Sequence, residues 1–287
     1  MKLAVNYSKA LISLFQKNPE LPVDYIKVPT IPFPDCWDQF TEGKIYRPLL
    51  PHLAQVGVVA LGHPEGDQSS NFDIITKALA LTKPPFLSTH LDARTECFSE
   101  YQHFQHQKHP IIKQVLKQQF IKAIRKIKEF IKIPLVLENS PYYLWWNKFK
   151  IITEPGFIKE ICAETDCDFL LDIAHARCTC WYTNQDIYKY IKALPLERLK
   201  EVHLSGVTIR QEGLRDTHTE LDDDDYELLK YLLRMTSPEM ITIEYGGLLN
   251  RIMNLERNYE YISRNNPENL LEMIFRIRQI MGTTFRF

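Results

Sequence analysis

The sequence lacks any hydrophobic run long enough to cross a membrane and has almost no net charge. Its 287 residues carry a formal net charge of −1, so they create no overall basic field that would draw the protein onto nucleic acid or anionic lipid. Near the amino terminus, Asn6, Tyr7 and Ser8 interrupt the apolar stretch that a signal peptide would need. We therefore expect a cytoplasmic protein without a membrane or nucleic-acid partner.

Cysteine pairs of the Cys-x-x-Cys type, an early glycine-rich phosphate turn and a Pro/Gly-rich linker are also missing. The six cysteines are scattered, with Cys178 and Cys180 as the one close pair, which argues against zinc knuckles and for free thiols. The missing glycine-rich turn argues against an open, doubly wound sheet. The missing linker, together with the lack of internal repeats, gives no sign of a domain boundary.

Eight short runs of apolar and β-branched residues are present instead. They lie at 3–6, 25–28, 56–61, 85–91, 133–139, 168–173, 200–206 and 240–246. Their nearly continuous apolar character is typical of strands buried on both faces of a parallel sheet. Segments with helical character lie between them, at 8–16, 47–53, 72–81, 111–131, 156–164, 186–193, 223–234 and 270–281.

Strand alternating with helix eight times predicts an α/β protein with a single (β/α)8 TIM-barrel domain over residues 1–287. Such a barrel normally occupies about 250 residues as one domain, and its parallel strands are joined by right-handed crossovers. Apolar residues at 45% and charged residues at 25% supply a large core and a solvated surface.

Six of the predicted strands end on a histidine or a carboxylate. These residues are His63, His90, Glu138, Asp172, His203 and Glu244. Because the carboxyl ends of barrel strands meet on one face, where catalytic groups lie, we expect the side chains to converge there. Three further donors follow closely: His175, Asp216 and His218.

These nine side chains supply five imidazoles and four carboxylates. One ion cannot use them all, since zinc takes about four ligands and octahedral metals about six. Four carboxylates at one barrel mouth would repel one another unless cations lay between them. The set therefore predicts two or three metal ions with bridging carboxylates, and its lack of thiolates suits iron, manganese or zinc. For any single member the alternative is a hydrogen-bonded core residue, above all for His63.

Other polar and aromatic residues have both a functional and a structural interpretation. Tyr143 belongs to an aromatic group after Glu138 that forms either a substrate wall or ordinary loop packing. Arg94 and Arg177 follow donor-bearing strands, where they either bind a substrate carboxylate or pair with acidic neighbours. The run 222–225 is interpreted as the acidic first turn of a helix.

Six segments of the chain resemble the signature segments of the multinuclear non-haem iron-dependent oxidases, the family that includes the methanobactin biosynthesis oxidase. In order, they are STHLDAR, VLENSPYY, FLLDIAHAR, EVHLSG, DTHTELDDDDYELL and ITIEYGG, between about residue 86 and residue 246. The resemblance implies a xylose-isomerase-like barrel with two or three iron ions. It also implies that dioxygen is used to modify a ribosomally made precursor peptide, often at cysteine, with or without a separate peptide-recognition protein.

The resemblance also implies roles for individual residues. The implied iron ligands are His90, Glu138, Asp172, His175, His203, Asp216, His218 and Glu244, with His63 as an additional candidate from its strand-end position. The residues expected to be catalytic are Glu138, Asp172, His203 and Asp216, and those expected to bind substrate are Arg94, Asn139, Tyr143 and Arg177. The chain departs from the family pattern at His175, where many members carry asparagine, and at Lys27, where an acidic residue is expected. His63 also does not align cleanly with the early histidine that the family has after its third strand.

Three rival functions share this barrel. A divalent-metal-dependent sugar isomerase or epimerase would polarise a hydroxyl and a carbonyl without oxygen. A phosphodiesterase resembling the zinc-dependent abasic-site endonucleases would bind a phosphate, but the neutral charge balance offers no basic groove for DNA. A metal-storing or peptide-binding scaffold would have no catalysis. Metal content separates them, since stoichiometric zinc or manganese favours the rival enzymes over an iron oxidase.

Overall fold

The fold is a closed barrel of eight parallel strands. The computed structural model describes residues 1–30, 34–53, 58–59, 61–64, 70–246 and 266–282. In order around the barrel, the strands are β1 Lys2–Asn6, β2 Tyr25–Thr30, β3 Leu49–Leu53, β4 Leu87–His90, β5 Leu135–Glu138, β6 Asp168–Asp172, β7 Leu199–Leu204 and β10 Met240–Ile243. β10 pairs again with β1 and closes the barrel. The predicted α/β barrel class is confirmed.

An antiparallel hairpin interrupts the strand-helix alternation after β7. It consists of β8 Gly206–Arg210 and β9 Gly213–Thr219. The sequence predicts no strand between the seventh strand at 200–206 and the helix at 223–234, so this hairpin was not expected.

Helices surround the barrel. The α-helices within the described ranges are α1 Lys9–Lys17, α2 Pro34–Lys44, α3 Phe72–Thr82, α4 Pro110–Ile131, α5 Pro155–Thr165, α6 Ile173–Thr183, α7 Ile187–Ala193, α8 Asp223–Leu233 and α9 Pro267–Ile280. Short 3₁₀ segments lie at Thr95–Phe104, Lys150–Thr153 and Leu196–Arg198. None of the helices within these ranges is long and apolar enough to cross a bilayer.

Local sequence explains where several helices begin. The Ser8 hydroxyl accepts the backbone N–H of Leu11 at the start of α1. At the start of α8, Asp222 and Asp225 form a reciprocal capping box, so the acidic run acts as the predicted first turn. The long helix α4 buries one face, including Phe120, whose ring centroid lies 5.9 Å from that of Phe157 on α5.

The barrel interior is layered, because every second residue of a strand points inward. The layer nearest the amino ends of the strands is apolar and consists of Ala4, Leu50, Phe86, Val136, Leu170 and Met240. The layer above it is polar and consists of Lys27, Ser88, Glu201 and Thr242. The inward positions at the carboxyl ends of the strands therefore lie above a buried polar layer.

The third strand lies earlier in the chain than the sequence predicts. The sequence indicates a strand at 56–61 and a helix at 47–53, and both predictions are wrong: Leu49–Leu53 is a strand that pairs with β2 and β4. Pro51 conceals this strand, since proline lacks the N–H of a sheet ladder and is rare inside central strands. His52, next to Pro51, is consequently absent from the polar strand ends that the sequence predicts.

The β-branched run that was predicted as the third strand belongs to the core. Val58 and Val59 are fully buried and Leu61 nearly so, and all three lie outside any strand. Positions 56, 57 and 60 of the run lie outside the described residues. Burial of a loop against the barrel therefore produced the same apolar pattern as a buried strand.

Candidate metal centre

Histidine and carboxylate side chains meet at the carboxyl ends of the barrel strands. Three groups of side chains each have donor atoms within 4.8 Å of one another. The groups are His52, His90 and Glu138; Glu138, Asp172 and His175; and Asp172, His203 and Glu244. Glu138 and Asp172 each belong to two groups, so the three groups form one connected cluster.

The first group joins β3, β4 and β5. His52 Nε2 lies 3.4 Å from Glu138 Oε2, and His90 Nε2 lies 3.3 Å from Glu138 Oε1. The two imidazoles are 3.1 Å apart, from His52 Nε2 to His90 Nδ1. The parallel register places His90 beside Glu138, so neighbouring strands bring these donors together.

The second group forms where β6 turns into α6. Asp172 caps α6, and its carboxylate accepts the backbone N–H of His175 at 2.6 Å. This cap directs the His175 ring toward the cluster, with Nδ1 3.2 Å from Glu138 Oε1 and 3.8 Å from Asp172 Oδ1. The N-cap residue Asp172 is therefore a candidate metal ligand itself and also positions His175, a second candidate ligand.

The third group joins β6, β7 and the segment just after β10. His203 Nδ1 lies 3.3 Å from Glu244 Oε1 and 4.0 Å from Asp172 Oδ2. Glu244 is fixed by the backbone, since its N–H donates to the carbonyl of Leu204 at 2.8 Å.

The hairpin adds two further donors to the edge of the cluster. Asp216 Oδ2 lies 3.4 Å from His175 Nε2 and 3.2 Å from His218 Nε2. His218 Nε2 is also 3.7 Å from Glu244 Oε2. His218 has a positive φ of 49°, a left-handed conformation that few non-glycine residues adopt, so the hairpin backbone holds it in an uncommon position.

Several donor atoms are buried without a hydrogen-bond partner. Among the described residues they include both carboxylate oxygens of Glu138, Asp172 Oδ2 and His203 Nδ1. A buried charged oxygen without a partner is costly, and buried polar atoms are nearly always satisfied. Divalent ions that accept imidazole and carboxylate ligands would satisfy all four atoms at once. The residues present therefore fit a metal centre of iron, manganese or zinc type.

The pKa values of the imidazoles in the cluster are shifted in opposite directions. Burial lowers the pKa of His52 well below its ordinary value and also lowers the pKa of His90. Burial also opposes the charge on His203 and His218, but Glu244 raises the pKa of His203 to about 10 and Asp216 raises that of His218 to about 9.

The pKa of one carboxyl group in the cluster is also shifted, by burial and by the neighbouring carboxylates. Burial, with the neighbouring Asp216 and Glu138 carboxylates, raises the pKa of Asp172 to about 7. The charges in this cluster are thus balanced by protons, and a divalent cation would displace those protons on binding.

His63 does not belong to the three groups. It lies in a turn within 61–64, after the misassigned strand, whereas His52 on the true third strand contacts Glu138. The sequence predicts His63 as a candidate ligand and not His52, whereas the three groups contain His52 and not His63. The signal was present, since Leu49–Leu53 is an apolar run with histidine near its end, but Pro51 made the run unlike a strand.

The two arginines that are expected to bind substrate form ion pairs with acidic neighbours. Arg94 is half exposed and pairs with Glu96 at 3.5 Å. The Arg177 guanidinium binds Asp222 and Asp225, so it links α6 to the start of α8.

Asn139 has a role inside the cluster. Its side chain accepts the backbone N–H of Asp172 at 2.8 Å and donates to the Asp172 carbonyl at 3.0 Å. Its backbone carbonyl lies 2.8 Å from His175 Nδ1. These contacts orient two candidate ligands, Asp172 and His175. Of the four residues expected to bind substrate, Tyr143 is the one that lines the cavity beside the cluster.

A cavity of about 190 Å³ lies beside the cluster. Its lining residues are His90, Pro141, Tyr143, Trp146, Lys148, His175, Arg215 and Asp216. Lys148 is held by Asp92 at 2.8 Å and lies 4.1 Å from the Trp146 ring centroid. The cavity therefore combines three candidate ligands with an aromatic wall and two cations.

Comparisons with known proteins agree with this architecture. The family model described as RiPP precursor modification enzyme MbnB/TglH/ChrH, for enzymes that modify ribosomally made peptides, matches residues 38–266. The UPF0276 protein of Acaryochloris marina is 34% identical over 95 residues, which are 33% of this chain and 34% of that protein. A UPF0276 protein of Vibrio parahaemolyticus is 24% identical over 131 residues, 44% of this chain and 45% of that protein. The chain spans about a third of the length of the first curated relatives it matches.

Solved structures share the fold at low sequence identity. A candidate xylose isomerase from Rhodospirillum rubrum has a TM-score of 0.55 at 11% identity, covering 99% of this chain and 100% of that one. Endonuclease IV from Thermus thermophilus has a TM-score of 0.51 at 17% identity, covering 92% of this chain and 99% of that one. These similarities show a xylose-isomerase-like barrel. Because the family model spans residues 38–266, well over half of the sequence, the chain belongs to the MbnB/TglH/ChrH family of RiPP precursor modification enzymes.

Proposed function

We propose that this protein is a multinuclear non-haem iron-dependent oxidase that uses dioxygen to modify a precursor peptide at a cysteine residue. The proposal depends on one observation: three donor groups, linked through Glu138 and Asp172, lie beside a cavity that reaches His90 and His175. Membership of the peptide-modifying family supports the substrate class.

Each donor group would hold one ion. His52, His90 and Glu138 form a set of two imidazoles and one carboxylate, which is the ligand type of non-haem iron(II) oxygenases. The second and third groups would hold further ions, and Glu138 and Asp172 each belong to two of the groups. Iron, when bound, supplies the electron exchange with dioxygen that side chains do not provide.

The residues of the cavity would bind and orient the peptide. Tyr143 and Trp146 form an aromatic wall that excludes water from the reacting group. Lys148 and Arg215 place two cations at the cavity, where they would attract carboxylates of the peptide. Holding the substrate thiol beside His90 would replace a bimolecular encounter with a nearly unimolecular one.

Tyr143 also connects the cavity to the donor cluster. Its hydroxyl accepts the backbone N–H of Asp216 at 3.1 Å and donates to the buried Cys178 sulfur at 3.6 Å. Burial raises the pKa of Cys178 to about 12, so this thiol is protonated at neutral pH. We therefore assign the reacting sulfur to the peptide and a packing role to Cys178.

The test is to co-express the protein with any short cysteine-bearing open reading frame found beside its gene and to measure the mass of the peptide product. The protein, loaded anaerobically with ferrous iron, is expected to bind more than one iron per chain and to consume oxygen only with its peptide. The Glu138→Gln variant is the matched control and should leave the peptide mass unchanged. Turnover at the same rate without oxygen would overturn the proposal.

The rival isomerase or epimerase is supported by the fold alone. It would bind zinc or manganese and interconvert a sugar without oxygen. A sugar-dependent reaction in the absence of iron, with no change in the peptide, would therefore favour the rival.

A further inference from the structure

A buried ion pair lies inside the barrel directly below the donor groups. The Lys27 ammonium on β2 donates to both carboxylate oxygens of Glu201 on β7, at 2.7 and 2.8 Å, and to the Ser88 hydroxyl on β4 at 2.9 Å. The Lys27 side chain is 2% exposed and that of Glu201 is 0% exposed. All three ammonium protons therefore have acceptors, and the pair adds no net charge to the barrel.

Stability alone does not explain this pair. The cost of desolvating two charges offsets much of their attraction, and well-packed apolar residues often serve as well. The layer directly beneath is in fact filled by apolar side chains. The position of the pair is informative, because Glu201 and Ser88 each precede a candidate ligand on the same strand by two residues, His203 and His90 respectively.

The contact between Glu201 and His203 determines which ring nitrogen faces the cluster. His203 Nε2 lies 3.1 Å from Glu201 Oε1, while Nδ1 faces Glu244 at 3.3 Å. Glu201 Oε1 also accepts the Thr242 hydroxyl at 2.6 Å. A carboxylate can only accept, so it takes the Nε2–H of His203 and leaves the Nδ1 lone pair for a metal.

Ser88 connects the same pair to His52. The Ser88 hydroxyl oxygen accepts a hydrogen bond from the Lys27 ammonium and lies 2.9 Å from His52 Nδ1. Its second lone pair can accept the His52 Nδ1–H, which leaves the Nε2 lone pair directed toward Glu138. One ion pair thus contacts His203 directly, through Glu201, and His52 indirectly, through Ser88, and the ring centroids of these two candidate ligands lie 5.7 Å apart.

We infer that Lys27 and Glu201 are positioning residues that select the metal-facing nitrogen of two histidines, Nδ1 of His203 and Nε2 of His52. This inference rests on the proposed metal centre. The physical basis is general, since a ligating histidine whose other N–H is held by a carboxylate or a hydroxyl keeps one tautomer and one ring orientation. Lys27 holds both acceptors in place and balances the charge of Glu201.

The test reads the ring nitrogens directly. Zinc(II) is the probe, because it is diamagnetic and takes imidazole and carboxylate ligands. Long-range proton–nitrogen NMR spectra of histidine-labelled, zinc-loaded protein should show the proton on Nε2 of His203 and on Nδ1 of His52. A wild-type protein that binds zinc with the opposite tautomer at His203 would overturn the inference.

Variants then test the ion pair. We expect the uncharged double variant Lys27→Met with Glu201→Gln to shift or broaden the His203 ring signals and to lower zinc affinity about 10–100-fold. Lys200→Met is the matched control, because Lys200 is the neighbour of Glu201 on β7 and pairs on the outer side with Asp168 and Glu239, both at 3.0 Å. The control should change neither the ring signals nor the affinity.

A variant with a smaller change in side chain tests the inference if the double variant does not fold. Ser88→Ala removes one hydroxyl and should change the His52 ring signals while those of His203 stay as in the wild type. Unchanged spectra and affinity in a folded variant would overturn the inference and leave the proposed function intact. A wild-type protein that binds neither zinc nor iron would overturn both.

Discussion

Glu138 is the side chain around which the donor cluster is built. Its carboxylate oxygens lie 3.2 to 3.7 Å from ring nitrogens of His52, His90, His175 and His203. Burial by itself would raise the pKa of the Glu138 carboxyl, but the surrounding imidazoles, led by those of His90 and His203, hold it well below its usual range. The residue is therefore an ionised carboxylate, the form that binds metal.

At the residue scale, the clearest prediction compares two histidines. We expect His52→Ala to lower metal affinity by more than about 10-fold, because even outer-shell partners of a metal are worth about 10–100-fold. His63→Ala should keep the wild-type affinity, since His63 is outside the three donor groups. Elemental analysis and competition titration measure both. Equal loss in the two variants would contradict the assignment of His52.

At the element scale, the β8–β9 hairpin delivers Asp216 and His218 to the cluster. Its turn depends on Gly213, which has a φ of 116°, and on Tyr182, whose hydroxyl donates to the Glu212 carbonyl at 2.8 Å. A Cβ at position 213 would lie 2.3 Å from the Tyr182 hydroxyl oxygen. The turn of the hairpin therefore favours glycine at position 213.

We expect Gly213→Ala to lower the free energy of unfolding by about 1–3 kcal/mol, because the φ value is strained for any residue with a Cβ. Urea unfolding measures this loss. Gly156→Ala on α5 is the control, since a Cβ there would meet nothing within 4 Å. The same urea midpoint for both variants would show that the hairpin tolerates a side chain.

A second prediction at this scale concerns the contact between α4 and α5. Glu160 binds Lys113 and Lys117, and the hydrogen bond from Lys113 leads the interactions that lower the pKa of Glu160. The pKa of Glu160 is lower in the folded than in the unfolded state. Its ion pair with the lysines therefore stabilises the fold fully above the unfolded-state pKa of about 4.3, and this stabilisation is lost as the pH falls through the folded-state pKa. The pair is partly exposed, so it is worth at most about 0.2–1 kcal/mol.

We therefore expect the melting temperature of the Glu160→Gln variant to be slightly below that of the wild type at neutral pH. In strong acid the two melting temperatures should be equal. Calorimetry across this pH range measures the difference. Glu129→Gln makes the same change at an exposed position of α4 and should leave the melting temperature unchanged at both pH values. A difference that persists or grows in acid would show that Glu160 acts through something other than its charge.

At the scale of the whole molecule, metal binding and barrel stability are coupled, because the donors come from distant strands that separate on unfolding. A metal at about 100 times its Kd should stabilise the fold by about 2.7 kcal/mol. That corresponds to a rise of roughly 5–10 °C in melting temperature for a chain of this size. Thermal melting with zinc and with a chelator measures the shift.

The Glu138→Gln variant provides the control for this coupling. It removes the charge from the carboxylate that two donor groups share, so its melting temperature should respond much less to metal. Equal melting of the wild type with metal and with chelator would contradict the metal centre.

The sequence by itself determined the barrel and most of the polar strand ends. Continuous apolar runs separated by helical segments depend on local burial, and local burial is visible in the order of residues. His90, Glu138, Asp172 and His203 each end such a run, and the structure brings them together. The single-domain assignment over 1–287 and the ligand roles remain predictions.

Only the tertiary structure decided which distant residues meet. His52 was concealed by the proline beside it, and Lys27 reaches Glu201 across 174 positions of sequence. Arg177 likewise pairs with Asp222, 45 residues later at the start of a helix, and it is not among the residues that line the cavity. Strand register and barrel closure set these contacts, and neither leaves a signal in the neighbouring sequence, because a pairing across the barrel depends on every strand between.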